Sequence, residues 1–369
     1  MATTTVGAKK RATFHELRVA EVRRLTGTSV EVTFEVPEEL ADAYRYLAGQ
    51  YLALRTTING EDVRRSYSIC RPPADGRISV AVKRDHGGLF STWANDELRA
   101  GDTLQVMTPQ GAFTSNLTEL DGRHVVGIAA GSGITPVITM AHQVLQHSAT
   151  SRFDLLFTNR SSHDVMFVEE LADLKDRYPR RFAIHHVLSR EQRSAPIMSG
   201  RLDEERLRRI LTSVVPVEMA DEWVLCGPFE LVQLCRDLLD GYGVDAAHVR
   251  YELFTTGEPG APSTRPRPIE VRAGERTVTV DINLDGTSAS VESPLSANET
   301  ILNAALRVRP DAPFACTGGV CGTCRARVLE GSVTMTENYA LEPDEVENGY
   351  VLTCQSHPQS DHVAVDYDA

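Results

Sequence analysis

Four cysteines near the C-terminal end constrain this chain most. Cys316, Cys321, Cys324 and Cys354 follow the spacing C-x4-C-x2-C, then 29 residues, then C. Two irons bridged by two sulfides need four thiolates around a small volume. A tight loop supplies three of them and a distant strand end supplies the fourth, which is the spacing of one large class of [2Fe–2S] ligands. Gly318, Gly319 and Gly322 lie inside the loop. Glycines let backbone N–H groups approach the sulfurs and stabilise negative charge there. Zinc knuckles usually carry paired C-x2-C units, and only one is present. Disulfides suit small secreted chains, whereas this one has 369 residues and seven cysteines, an odd number. Cys70, Cys226 and Cys235 are scattered and read as packing residues.

A chain of 369 residues, 41% hydrophobic, divides into two or three domains with material for packed cores. The first third reads as short strands at Val30–Val36, Tyr51–Thr56, Ser66–Cys70, Ile78–Lys83 and Leu104–Met107, punctuated by Gly and Pro. That pattern predicts a small antiparallel Greek-key β-barrel over residues 1–119. Strands and helices then alternate over 120–255. Strands are expected at Val125–Ala130, Phe153–Thr158, Phe182–Leu188, Glu222–Gly227 and Val249–Phe254, with helices such as Ile134–His147 and Leu231–Leu239 between them. Such alternation predicts an α/β domain with a parallel sheet. A linker follows at 256–268, rich in Pro259, Pro262, Pro266 and Pro268. The cysteine cluster then occupies a last domain, 269–369.

The net charge is −13, which argues against general nucleic-acid binding. Residues 266–369 hold 16 acidic residues and 7 Arg with no Lys, so most of that charge sits with the cysteines. No apolar run approaches a membrane span. No apolar stretch follows Lys9, Lys10 and Arg11, so no signal peptide is evident and the cytoplasm is the expected location. His15-Glu16 opens like a zinc-protease motif, but position 19 is Val, and there is no P-loop.

Arg65-Ser66-Tyr67-Ser68 falls on an expected strand. Alternation puts Arg65 and Tyr67 on one face and Ser68 on the other. A flavin needs an aromatic surface, a hydrogen bond near its reactive nitrogen and a cation for its phosphates, and these three side chains offer all of them. Gly87-Gly88-Leu89-Phe90-Ser91 then reads as a Gly turn opening a helix, with Gly88 and Ser91 placed to meet phosphate. An exposed Arg beside a packed Tyr is the plainer reading of four residues alone.

Gly131-Ser132-Gly133-Ile134-Thr135-Pro136 follows one strand and begins a helix, the right context for a dinucleotide pyrophosphate. Pro136 stands where the usual fingerprint has a third Gly. A Gly-rich turn without a ligand is the alternative. Asn159-Arg160 and Ser189-Arg190 close the next two strands. Two Arg at strand ends suit a 2′-phosphate, favouring NADPH over NADH, although either Arg alone also reads as a surface ion pair. Cys226 ends a further strand and is a candidate to lie against the nicotinamide.

At these residues the chain resembles the ferredoxin–NADP reductase superfamily, and within it the members with a C-terminal plant-type ferredoxin domain. The segments Arg64–Cys70 and Ala129–Pro136 carry the general likeness. Met335–Glu345 is similar to the reductases that serve phenylacetyl-CoA epoxidase. The resemblance implies FAD bound by Arg65, Tyr67 and Ser68, nicotinamide phosphates at Gly131, Gly133 and Pro136, and Glu252 and Phe254 near the flavin. Ser68, Cys226 and Glu252 are then the expected catalytic residues. It also implies a β-grasp fold for the last domain and a di-iron oxygenase as acceptor. Flavin reconciles the two-electron hydride of NADPH with a one-electron cluster. Reductases of ketosteroid hydroxylases or aromatic-ring dioxygenases are the nearest alternative, and a zinc-holding, non-enzymatic protein-recognition module is an alternative of another class.

Overall fold

A computed structural model describes the chain except residues 1–11, 75, 112, 115–120, 255–268, 270–273, 315 and 342. The expected Pro-rich linker, 256–268, and the end of the barrel segment thus lie outside the described residues. The chain forms two compact units. One comprises His15–Leu52 and Tyr67–Gly257, and the other joins Met1–Phe14 and Ala53–Ser66 to Glu258–Ala369.

The N-terminal part supplies β1 (Phe14–Thr26), β2 (Ser29–Glu35), β3 (Tyr51–Ile58), β4 (Glu61–Ser68), β5 (Arg77–Lys83), helix α1 (Leu89–Asp96) and β6 (Thr103–Met107). The sheet order is β4-β3-β6-β1-β2-β5. Just past β4, Ile69 bridges Val80 of β5, and the Cys70 amide donates to the Ser79 carbonyl at 3.0 Å. The two ends of the order therefore meet and the sheet closes. Asn59 and Gly60 join β3 to β4 with φ of 53° and 79°. That is the two-residue hairpin turn which such a dipeptide favours, and it starts β4 at Glu61, earlier than the expected Ser66.

Strand β1 is absent from the expected set. Its pairing with β2 shifts between Val19 and Glu21 and again between Arg24 and Thr26. Bulges of this kind break the period of two that would reveal a strand. Strand β2 is mostly buried on both faces, Glu31 included at 4% exposure. Ion pairs to Arg71 and Arg23 hold that carboxylate, and both arginines also reach Glu170.

The α/β region contains β7 (His124–Ala130), α2 (Ile134–His147), β8 (Arg152–Asn159), α3 (Val168–Arg177), β9 (Phe182–Leu188), α4 (Glu204–Ser213), β10 (Glu222–Gly227), α5 (Phe229–Gly241) and β11 (Val249–Leu253). Its five parallel strands run β11-β10-β7-β8-β9. The order reverses between β7 and β10, which opens a crevice at their C-terminal ends.

The C-terminal part holds β12 (Thr277–Leu284), β13 (Thr287–Pro294), α6 (Ile301–Val308), β14 (Arg325–Glu330), β15 (Val333–Met335), α7 (Pro343–Glu347), β16 (Tyr350–Leu352), β17 (Ser356–Pro358) and β18 (His362–Asp366). Its main sheet runs β13-β12-β18-β14-β16, with β12 and β18 parallel. Asp285 and Gly286, at φ 63° and 64°, turn β12 into β13. Thr300 caps α6 by accepting from the Asn303 amide, and Ile301, Leu302, Ala304 and Ala305 are buried in the core shared with the sheet. This is the mixed sheet with one packed helix expected of a β-grasp.

Candidate functional site

The cysteine loop follows Phe314 and is curled by three residues of positive φ: Thr317 at 55°, Gly319 at 76° and Gly322 at 68°. A side chain at Gly319 would press to 3.1 Å from the Glu337 carbonyl. The Gln355 amide donates to the Thr317 carbonyl at 2.7 Å, and the Thr353 hydroxyl donates to the Cys324 carbonyl at 2.8 Å. These bonds tie the loop to the turn carrying Cys354.

All four cysteines are free thiols and they meet in pairs. Cys316 hydrogen-bonds Cys321, and Cys354 hydrogen-bonds Cys324. Cys354 also feels the charges of the other two. Within the first pair, the bond to Cys321 holds the Cys316 proton on, while Cys321, accepting that bond, is drawn below the usual thiol range. Among the described residues no three His, Cys, Asp or Glu close on a single-ion site. Two thiols per centre is the donor set that a two-iron cluster requires, so the residues present fit that group.

On β4, Arg65 is half-buried and donates to the Arg64 carbonyl at 2.6 Å. The Tyr67 ring lies 5.5 Å from that of Phe90 in α1. Ser91 does not offer a free hydroxyl. It accepts from the Asp85 amide at 3.0 Å and donates to the Gly88 carbonyl at 3.3 Å, so it holds the turn that Gly88 ends. A Cβ on Gly88 would lie 2.5 Å from the Ser91 hydroxyl. The Ser66 hydroxyl is buried without a partner among the described residues, which leaves a polar atom for a bound group to satisfy.

Ser68, Cys226 and Glu252 come together. The buried Ser68 hydroxyl donates to the Glu252 carboxylate at 2.9 Å, and Glu252 on β11 pairs in register with Cys226 on β10. Burial first, and then the Glu252 charge, pushes the Cys226 thiol up, so it stays protonated. Phe254 is partly buried against the core of the α/β region.

The Gly-rich turn sits at the reversal of strand order. Gly131 has φ 53°, and Gly133 approaches β10 so closely that a Cβ would lie 2.1 Å from the Cys226 carbonyl. Pro136 is buried in the first turn of α2 and shapes the turn, since it has no N–H to give. Arg160 and Arg190 are exposed neighbours, joined by a 2.8 Å bond from the Arg190 amide to the Arg160 carbonyl. Both polar atoms of the buried Asn159 side chain lack partners among the described residues. Sequence reasoning missed Lys83. From the end of β5 its ammonium reaches 3.1 Å from where a Gly131 Cβ would stand. Burial, joined by Arg160, lowers its pKa, and Asp164 opposes them. The signal available was a lone Lys ending a barrel strand. Together these residues make a cationic, amide-lined crevice with unfilled polar valences, which fits a dinucleotide.

Three families match parts of the chain. Residues 16–115 match the family described as oxidoreductase FAD-binding domain, 128–237 the oxidoreductase NAD-binding domain, and 282–359 the 2Fe-2S iron-sulfur cluster binding domain. The chain is 43% identical to a component of 1,2-phenylacetyl-CoA epoxidase from Escherichia coli K12, over 97% of this chain and 98% of that one. It is 32% identical to the ferredoxin reductase component of 3-ketosteroid-9-alpha-monooxygenase from Rhodococcus rhodochrous, over 95% and 96%. Among solved structures, phthalate dioxygenase reductase matches its fold with a TM-score of 0.60, at 24% identity over 96% and 98%. The chain is an oxidoreductase and belongs to the ferredoxin–NADP reductase family, among the oxygenase reductase components that join FAD-, NAD- and 2Fe–2S-binding domains in one polypeptide.

Proposed function

We propose that this protein carries electrons from NADPH through FAD to a [2Fe–2S] cluster and on to a di-iron oxygenase, namely phenylacetyl-CoA epoxidase, in the cytoplasm. The observation that carries the relay is the meeting of four thiols in two pairs. The choice of acceptor is supported by 43% identity to an epoxidase component, against 32% to a ketosteroid monooxygenase component. Three functional segments, 1–119, 120–255 and 269–369, with a linker at 256–268, are part of the same proposal.

Bound flavin supplies the exchange of a hydride for single electrons. The chain's own residues would do the rest. Arg65 offers a cation to the flavin phosphates and Tyr67 a ring to its face, while the turn at Gly88, held by Ser91, admits its phosphates closely. Glu252 orients the Ser68 hydroxyl and is placed to move a proton. Gly131 and Gly133 admit the nicotinamide phosphates, with Pro136 setting the turn. Lys83, Arg160 and Arg190 meet negative charge there. Cys316, Cys321, Cys324 and Cys354 are the cluster ligands.

One absorption spectrum with metal analysis tests the reading. The purified protein should show flavin bands with a broad cluster shoulder and about two irons per chain. Anaerobic NADPH should bleach both. A colourless protein with stoichiometric zinc would overturn the proposal. Replacing Arg160 and Arg190 by Ala should raise the NADPH KM about tenfold or more and leave the NADH KM little changed, as loss of 2′-phosphate partners requires.

A further inference from the structure

Arg64 precedes the flavin motif and takes no part in it. Alternation along β4 places it on the face opposite Arg65 and Tyr67. Its side chain is 2% exposed. One amino group donates to the Ala312 carbonyl at 3.3 Å and the other to the Pro310 carbonyl at 3.1 Å. The guanidinium lies over the Phe314 ring at 4.3 Å and the Phe14 ring at 5.6 Å. Its Nε has no hydrogen-bond partner among the described residues. The nearest carboxylate, Asp62, stands 3.8 Å away and is engaged with Arg55 at 2.9 Å. Burial lowers the Arg64 pKa to about 10, with Arg55 adding and Asp62 and Asp311 opposing.

A buried charge whose nearest carboxylate is 3.8 Å away and shared with another arginine is a poor stabiliser, and an apolar side chain would fill the space at less cost. A guanidinium offers direction instead: a planar fork that fixes two carbonyls and a face that fixes a ring. Three of these four partners, Pro310, Ala312 and Phe314, lie in the segment that leads to Cys316, and the fourth is Phe14. Ala53–Ser66 of the β3–β4 hairpin and the C-terminal residues accordingly belong to one compact unit.

We infer that Arg64 is a positioning residue that latches the segment leading to the cysteine loop onto the strand carrying the flavin motif. The inference rests on the electron relay proposed above and adds that the cluster is held at that strand during reduction. A module swinging freely on a Pro-rich linker would leave this contact without a purpose.

The test uses the holoprotein with Arg64→Met and, separately, Phe314→Leu. Phe314→Leu keeps the charge and both carbonyl bonds, so it decides the matter if Arg64→Met does not fold. Hydrogen exchange at 53–66 and 310–314 should quicken about tenfold in each variant. Stopped-flow reduction of flavin by NADPH should keep its rate, while transfer from flavin to cluster slows at least tenfold. Unchanged exchange would overturn the latch, as would faster exchange with undiminished cluster reduction. Loss of iron from both variants would mark Arg64 as part of the domain's own folding and would overturn it too. If the unsubstituted protein held flavin and iron but NADPH reduced neither, the relay itself would fall, while exchange would still report on the contact.

Discussion

Ser68 and Glu252 stand 184 positions apart in the chain and 2.9 Å apart in space. A hydroxyl held by a carboxylate at a strand end is an arrangement for handling a proton. Glu252→Gln keeps the shape and removes the base. It should slow flavin reduction by NADPH about 10- to 100-fold, read by stopped flow, with flavin content unchanged. A wild-type rate would take the pair out of the chemistry. His142 on α2 gives a second expectation at this scale. Burial lowers its pKa to about 4 from the ordinary 6.5, Arg71 and Arg177 adding and Glu170 opposing. The unfolded chain therefore binds this proton first as pH falls. Its contribution is complete above about pH 6.5 and drains away as pH drops toward about 4, by an order of 2–3 kcal/mol. Urea titrations across that window should show the loss, and His142→Leu should flatten it.

At the scale of elements, the turn after β7 packs directly against the end of β10. Gly133→Ala would set a methyl 2.1 Å from the Cys226 carbonyl, a backbone atom that cannot swing away. Roughly 2–4 kcal/mol of destabilisation is expected in denaturant unfolding, with weaker nicotinamide binding. An unaffected midpoint would show that the strands part more easily than their packing implies. Some elements were legible because the signal is local. The Gly-rich turn between β7 and α2 falls where strand and helix patterns meet, and β5, β9 and β10 emerge close to their expected bounds. Strand β1 was not legible, because bulges scramble its alternation. The network of Glu31, Arg71, Arg23 and Glu170 was not legible either, since its members come from four separate segments and each reads alone as a surface charge.

Over the whole molecule, charge is distributed unevenly. The net charge is −13, and residues 266–369 contribute 16 acidic residues against 7 Arg. An acidic domain that must meet an acceptor should do so by electrostatic attraction, which salt screens within about a Debye length. Electron delivery to the oxygenase should fall several-fold between low and high ionic strength, while reduction of the cluster within the chain should not. Equal rates would exclude charge-guided docking. The cysteine spacing pointed to its cluster from sequence alone, because four thiolates so spaced suit two irons, whereas the Arg-x-Tyr-Ser strand and the Gly-rich turn each left a plainer reading open and pointed to flavin and nicotinamide only with the family resemblance. The tertiary structure decided which distant groups share a site: Glu252 beside Ser68, Lys83 beside Gly131, Arg64 beneath Phe314. Contacts between segments far apart in the chain depend on how strands pair and sheets close, and no local pattern records that.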